Sequence, residues 1–168
     1  MSAFSVTREV RAPAGELWDL IVDWPRHAAW VPLTQMRVDE QGGHGVGATL
    51  VARTQLGPVG FDDLMRVVGW RPPQEPDGVG RVRIVHEGGV VGGVAEIEVR
   101  PVTANRCVVT WWEDVDLLPG LPPALGKVVA LLGGPANVLG GRLIFGRVLR
   151  RAADQAERSA AIAAEGWS

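Results

Sequence analysis

Residues 13–32, PAGELWDLIVDWPRHAAWVP, constrain the fold more than any other part of this chain. They place Trp18, Trp24, Trp30 and His27 in a short helix-patterned stretch that directly follows an alternating strand pattern. Large aromatic side chains at such density usually face a core or a pocket. Many strand patterns and a late helix follow, so the order of elements predicts a curved sheet wrapped around a cavity.

The strands and helices are indicated by hydrophobic periodicity and by turn residues. A half-buried strand is predicted at residues 4–11, followed by a short helix that Pro13 opens and Pro25 ends, and by a second short helix over 26–30. Further strands are predicted at 35–40, 48–54, 61–70, 81–87, 94–100 and 106–115. The pattern becomes helical from residue 122, and after an interruption at 133–135 a long helix is expected from 136 to 164.

Composition limits the classes of function. A chain of 168 residues fits one domain spanning 1–168, and a net charge of -2 predicts no general attraction to nucleic acid. The single Cys107 excludes an intramolecular disulfide and is expected to be a buried thiol. The three histidines lack metal-ligand spacing and GGHGVG (42–47) lacks the dinucleotide fingerprint, so neither a metal nor a cofactor is expected.

Two further expectations concern location and assembly. Residues 1–10 alternate and carry charges, which argues against a signal peptide and for a cytoplasmic protein. Residues 115–149 are apolar, but glycines, Pro135 and Arg142 interrupt every run long enough for an integral membrane segment. The oligomeric state stays open, with a homodimer among the alternatives.

Several motifs together resemble those of a known superfamily. They are VTREVRAP (6–13), ELWDLIVD (16–23), WPRHAAWVP (24–32), GVG (45–47), FDDLMRVVGWRPP (61–73), TWWE (110–113) and LRRAA (149–153). This pattern is similar to the START/Bet v 1-like (SRPBCC) superfamily, nearest to its polyketide cyclase/dehydrase-like branch. The resemblance implies an α+β helix-grip fold: a curved antiparallel sheet of about six to seven strands wrapped around a long C-terminal helix, with two short helices after the first strand.

Strand alternation predicts which side chains face the cavity. The more apolar face of residues 61–70 carries Asp63 inward, and that of 81–87 carries His86 inward. For 106–115 the inward face stays open between the Trp111/Glu113 side and the Thr110/Trp112 side. The residues expected to contact a ligand are Trp18, Trp30, Phe61, Asp63, Met65, Ile84, His86, Ile97, Trp111, Leu139 and Leu143.

Two interpretations of the polar residues stay open. Asp63 and His86, with Glu113 or Thr110, would act as general acid and base in an aldol-type cyclisation or a dehydration. Alternatively, Asp63 is a structural acceptor satisfied by backbone N–H groups or by Arg53, and His86 is a hydrogen-bonded core residue. His27 is weighed as a residue at the cavity mouth or on the surface, and His44 is expected to be exposed.

Three functions follow from these patterns. The first is binding of a hydrophobic small molecule (a lipid, polyketide or aromatic compound) in the internal cavity. The second is a polyketide cyclase or dehydratase that uses acid and base groups in that cavity. The third is a protein-interaction module whose contact surface is the apolar segment 115–135. The arginines of 142–158 are expected to form a solvated helix face, or else a site for an anionic group.

Overall fold

The computed structural model describes residues 2–40, 42–73, 78–117 and 137–165. Its strands are β1 (Ser2–Val10), β2 (Thr34–Val38), β3 (Thr49–Leu56), β4 (Val59–Arg71), β5 (Gly80–Glu87), β6 (Val91–Thr103) and β7 (Arg106–Leu117). Its helices are α1 (Ala14–Ile21), a 3₁₀ helix (Trp24–Ala29) and the long α2 (Asn137–Glu165). The predicted helical segment at 122–132 lies outside the described residues, as do residues 118–135 of the contact surface proposed at 115–135.

The seven strands form one antiparallel sheet in the order β1-β7-β6-β5-β4-β3-β2. Each strand from β2 to β7 pairs with its sequence neighbour, and β1 closes the order by pairing with β7. Helix α2 packs on the concave side of this curled sheet, beside β1 and α1. The predicted helix-grip fold is therefore confirmed.

The second short helix differs from the prediction. It is a 3₁₀ helix that begins at Trp24 and carries Pro25 in its first turn, and Trp30 N–H donates to the carbonyl of His27 at 2.9 Å. Proline fits the first turn of a helix because the N–H it lacks would have no partner there. The segment is six residues long, which suits the tighter 3₁₀ geometry of short helices.

A register shift in β4 changes which residues face the core. Strand β4 alternates inward at Asp63, Met65 and Val67 as predicted, but its pairing with β5 shifts between Val67 and Gly69. An extra residue in one strand reverses the alternation beyond it. Trp70 therefore packs against the core, where its ring lies edge-on to Trp18 with centroids 5.3 Å apart.

Helix α2 faces the sheet with small side chains. Val148, Leu149, Ala152, Ala153 and Ala156 are fully buried. About two turns before Val148, a Cβ on Gly141 would lie 2.5 Å from the ring of Phe4, so this glycine allows the helix to approach β1 closely. Among the residues that the structure describes, no helix is long and apolar enough to cross a membrane.

Candidate functional site

A cavity of about 250 Å³ lies between the concave face of the sheet, the 3₁₀ helix and α2. Most of its wall is apolar, and the polar side chains in it are two threonines, two histidines and two acids. Its lining residues are Trp24, His27, Val31, Thr34, Met36, Leu50, Ala52, Thr54, Phe61, Asp63, Met65, Ile84, His86, Val91, Ala95, Trp111, Glu113 and Phe145.

Strand register brings Asp63 and His86 together. His86 on β5 lies directly opposite Met65 on β4, so Asp63 is its diagonal neighbour on the same face. Diagonal neighbours in a sheet are within reach of long side chains. The two carboxylate oxygens of Asp63 lie 3.1 and 2.9 Å from Nδ1 of His86. Since a carboxylate only accepts, Nδ1 carries a hydrogen.

Glu113 completes this group, which we call the acid–imidazole cluster (Asp63, His86 and Glu113). It lies on β7, and Ala95 on β6 stands between Glu113 and Ile84 of β5. The small side chain of Ala95 leaves the longer Glu113 and His86 side chains room to interact across the sheet. Trp111 donates its indole N–H to Oε1 of Glu113 at 2.8 Å.

The environment shifts the protonation of the cluster. Burial raises the pKa of Glu113 to about 7, although the charge of His86 and the hydrogen bond from Trp111 oppose that rise. Burial tends to lower the pKa of His86, but the hydrogen bond to Asp63 and the charges of Asp63 and Glu113 outweigh it and raise that pKa. The cluster therefore holds groups that exchange protons near neutral pH.

One atom of the cluster lacks a partner. The His86 side chain is 8% exposed, and its Nε2 is buried with no hydrogen-bond partner among the described residues. Buried side-chain nitrogens are usually paired. The same ring thus has one nitrogen held by Asp63 and one left unpaired in the cavity wall.

His27 is held in a different way. It is 5% exposed and donates Nε2–H to the carbonyl of Ile21 at 2.8 Å. Burial lowers its pKa to about 4, so the ring is neutral at pH 7. Its ring centroid lies 5.4 to 5.9 Å from those of Trp24, Trp30 and Trp111, which form a tryptophan cage around it. The surface alternative for His27 is therefore wrong.

The structure brings together six of the residues expected to contact a ligand: Phe61, Asp63, Met65, Ile84, His86 and Trp111. On β7 the inward face is that of Trp111 and Glu113. Thr110 points to the opposite face, where its hydroxyl pairs with that of Thr7 at 3.1 Å. The Arg53 alternative is also wrong, because Arg53 pairs with Asp62 at 3.3 Å.

Four other expected contacts lie elsewhere. Ile97 is fully buried in the core, Trp18 packs against Trp70, and Trp30 is buried beside His27 without lining the cavity. Leu143 is 63% exposed. At about 100° per residue it is about 120° away from Leu149 around the helix, whereas Phe145 is about 40° away and lines the cavity instead. The side chain of Leu139 is outside the described part of the structure.

Several lining residues were not expected from the sequence, although period-2 alternation along their strand would have predicted them. Leu50, Ala52 and Thr54 alternate along β3, and the Thr54 and Thr34 hydroxyls are 3.1 Å apart across the β2–β3 pair. Val91 precedes the strand predicted at 94–100, but β6 already begins there. His44 is exposed as expected and stacks on Trp70 with centroids 5.2 Å apart.

Comparison with known proteins gives one family. Residues 1–158 match the family model described as "Polyketide cyclase / dehydrase and lipid transport". No curated protein sequence matches.

Solved structures share the fold at low sequence identity. The Zhui aromatase/cyclase from Streptomyces sp. R1128 is 17% identical, with 93% of each chain covered and a TM-score of 0.64. The protein XoxI from Bacillus cereus is 13% identical, over 93% of this chain and 96% of that one, with a TM-score of 0.61. A START superfamily protein from Mycobacterium smegmatis is 17% identical, over 83% and 95%, with a TM-score of 0.52.

Proposed function

The chain belongs to the polyketide cyclase/dehydrase and lipid transport family of the START/SRPBCC superfamily, and from that premise we propose that it binds a compact hydrophobic molecule in its cavity. The observation that carries the proposal is the wall of this cavity, which combines a continuous apolar surface with a few polar side chains. Small-molecule sites have this composition because apolar burial supplies affinity and a few polar groups set orientation.

The size of the cavity favours ring compounds. Its volume of about 250 Å³ is below the roughly 300–1,000 Å³ typical of drug-sized sites. A cavity of about 150 Å³ lined by apolar side chains is enough to bind benzene. The expected ligand therefore has one or two rings, whereas an extended acyl chain would exceed the space.

Aromatic surfaces support the same ligand class. The rings of Trp111 on β7 and Phe145 on α2 lie with centroids 4.5 Å apart and their planes tilted by 33°, and both line the cavity. Aromatic side chains offer flat apolar surface, and ring pairs add to the stabilisation from buried area alone.

The test is calorimetric titration of the full chain with indane, naphthalene and palmitate. We expect the two bicyclic compounds to bind and palmitate not to bind. Ala52→Phe fills part of the cavity and is expected to weaken indane binding at least tenfold. Val68→Phe adds the same side chain at an outward position that is 41% exposed, and it should leave binding unchanged. Absence of binding by both bicyclic compounds would refute the proposal.

A second candidate function is dehydration or cyclisation of a ketone in the same cavity, and the acid–imidazole cluster favours it. Both oxygens of Asp63 are engaged by Nδ1 of His86, so Asp63 positions the ring, while Nε2 and the Glu113 carboxyl are left to exchange protons with a substrate. Dehydration of a β-hydroxy ketone needs a base at the carbon next to the carbonyl and an acid at the leaving hydroxyl.

A fluorescent product makes this second candidate measurable. Loss of water from 3-hydroxy-1-tetralone, followed by tautomerisation, gives 1-naphthol. We expect turnover that depends on pH and is lost in His86→Gln and Glu113→Gln. It should be kept in Asp62→Asn, which changes an outward carboxyl on β4 next to Asp63. Binding of indane without any turnover of this compound would leave the binding function and count against the enzyme.

A further inference from the structure

The unpaired nitrogen of His86 points to the chemistry of the ligand. Its side chain is 8% exposed and Nε2 has no hydrogen-bond partner among the described residues, although Nδ1 is held by Asp63. A buried polar atom without a partner destabilises the protein unless something supplies one. Because His86 forms part of the cavity wall, a bound molecule is the group that can do so.

The neighbours of His86 determine whether Nε2 donates or accepts. Two acids act on it, Asp63 from β4 and Glu113 from β7. Its directly paired residues, Met65 on β4 and Gly93 on β6, carry no charge. The other histidine of the cavity, His27, is neutral. Carboxylates favour the imidazolium form, in which both nitrogens carry hydrogen. These neighbours raise the pKa of His86 above its ordinary 6.5, so at pH 6 Nε2 carries a hydrogen and is a donor.

We propose that Nε2–H of His86 donates a hydrogen bond to a ligand oxygen conjugated to an aromatic ring, so that the site selects aryl ketones over hydrocarbons of the same shape. This inference rests on the proposed binding function and adds the polar group that the ligand must carry. The oxygen would complete the hydrogen bonds of the buried imidazole, while the ring would occupy the apolar part of the cavity beside Trp111 and Phe145.

The test compares 1-indanone with indane, which differ by one carbonyl in place of a methylene group. Both are titrated into the full chain at pH 6 by calorimetry, for the natural protein and for His86→Phe. Because the two compounds differ in hydration, the measured quantity is the ratio of their Kd values in each protein. We expect the preference for 1-indanone to fall at least about tenfold in His86→Phe, because that variant loses a hydrogen bond from a charged group and such a bond changes Kd by about this factor.

The outcomes separate this inference from the proposed function. Binding of indane with an equal Kd ratio in both proteins would overturn the inference and leave the cavity as a binding site. Failure of both compounds to bind the natural protein would overturn the binding function itself. If His86→Phe does not fold, the variant His86→Gln, whose amide still offers a donor, is expected to keep part of the preference.

Asp63 acts here as a positioning residue, and its variant has a spectroscopic readout. Asp63→Asn keeps an oxygen to accept Nδ1–H but removes the charge, so the pKa of His86 is expected to fall. Imidazole NMR titration measures this directly, since the chain has three histidines. Asp62→Asn, on the outward face beside it, should not move the His86 resonance. An unchanged His86 pKa in Asp63→Asn would overturn the positioning role.

Discussion

Replacing Glu113 with glutamine is expected to remove a pH-dependent penalty on folding. The carboxyl is 5% exposed, and burial raises its pKa from 4.5 to about 7. In the unfolded chain the same group ionises near its ordinary pKa. Between these two values the unfolded chain releases the proton and the folded protein keeps it, so each rise in pH favours unfolding.

The size of the effect follows from the two pKa values. Below pH 4.5 the carboxyl is protonated in both states and carries no penalty, whereas above pH 7 the full penalty is present. One pKa unit is worth about 1.4 kcal/mol, so the penalty is about 3 kcal/mol. Glutamine has nearly the same shape, stays neutral at every pH and keeps an oxygen that accepts from Trp111.

The assay is urea denaturation at pH 4.5 and pH 8 for the natural protein and Glu113→Gln. We expect the free energy of unfolding of the variant, relative to the natural protein, to rise by about 3 kcal/mol between the two pH values. His86, whose pKa is raised, contributes stability that is lost as pH rises above 6.5; because both proteins keep His86 and Asp63, this loss largely cancels in the difference. The control is Glu40→Gln at an exposed position, where surface substitutions usually change stability by less than about 0.5 kcal/mol.

The prediction is refuted if the free energies of unfolding of Glu113→Gln and the natural protein differ by the same amount at pH 4.5 and at pH 8. That result would mean that Glu113 ionises at its ordinary pKa in the folded protein. The cluster would then lack a group that exchanges protons near pH 7, and the dehydratase candidate would lose its second acid–base residue.

Two further predictions concern stability. Burial lowers the pKa of His27 from 6.5 to about 4, so between these values only the unfolded chain takes up the proton. As pH falls from 7.5 to 4.5, His27→Gln should therefore lose less stability than the natural protein, by up to about 3 kcal/mol in urea denaturation. Equal losses in the two proteins would contradict this. Gly141→Ala should destabilise the protein by about 1–3 kcal/mol, since its Cβ would lie 2.5 Å from Phe4, whereas Gly146→Ala in the same helix meets only Val6 at 4.0 Å and should be neutral or stabilising. Thermal or urea denaturation of the two alanine variants measures this difference in stability, and equal changes in stability would refute the close-packing argument.

The sequence by itself determined the elements and their order. Period-2 alternation at 61–67, 82–86 and 95–99 predicted strands with Asp63 and His86 on the inward side, and the structure places both there. This works because alternation is a local property of the extended chain. Helical spacing likewise predicted a long C-terminal helix over 136–164, and α2 spans Asn137–Glu165.

Tertiary structure decided which side chains meet. The register of β4 and β5 places Asp63 diagonal to His86. Only one strand, β6, separates β5 from β7, so Glu113 on β7 lies within electrostatic range of both residues. A bulge after Val67 turns Trp70 to the core, so that Trp18 has a partner there and does not line the cavity. Pairing register and the rotation of α2 about its axis depend on contacts between segments far apart in the chain, and no local pattern specifies them.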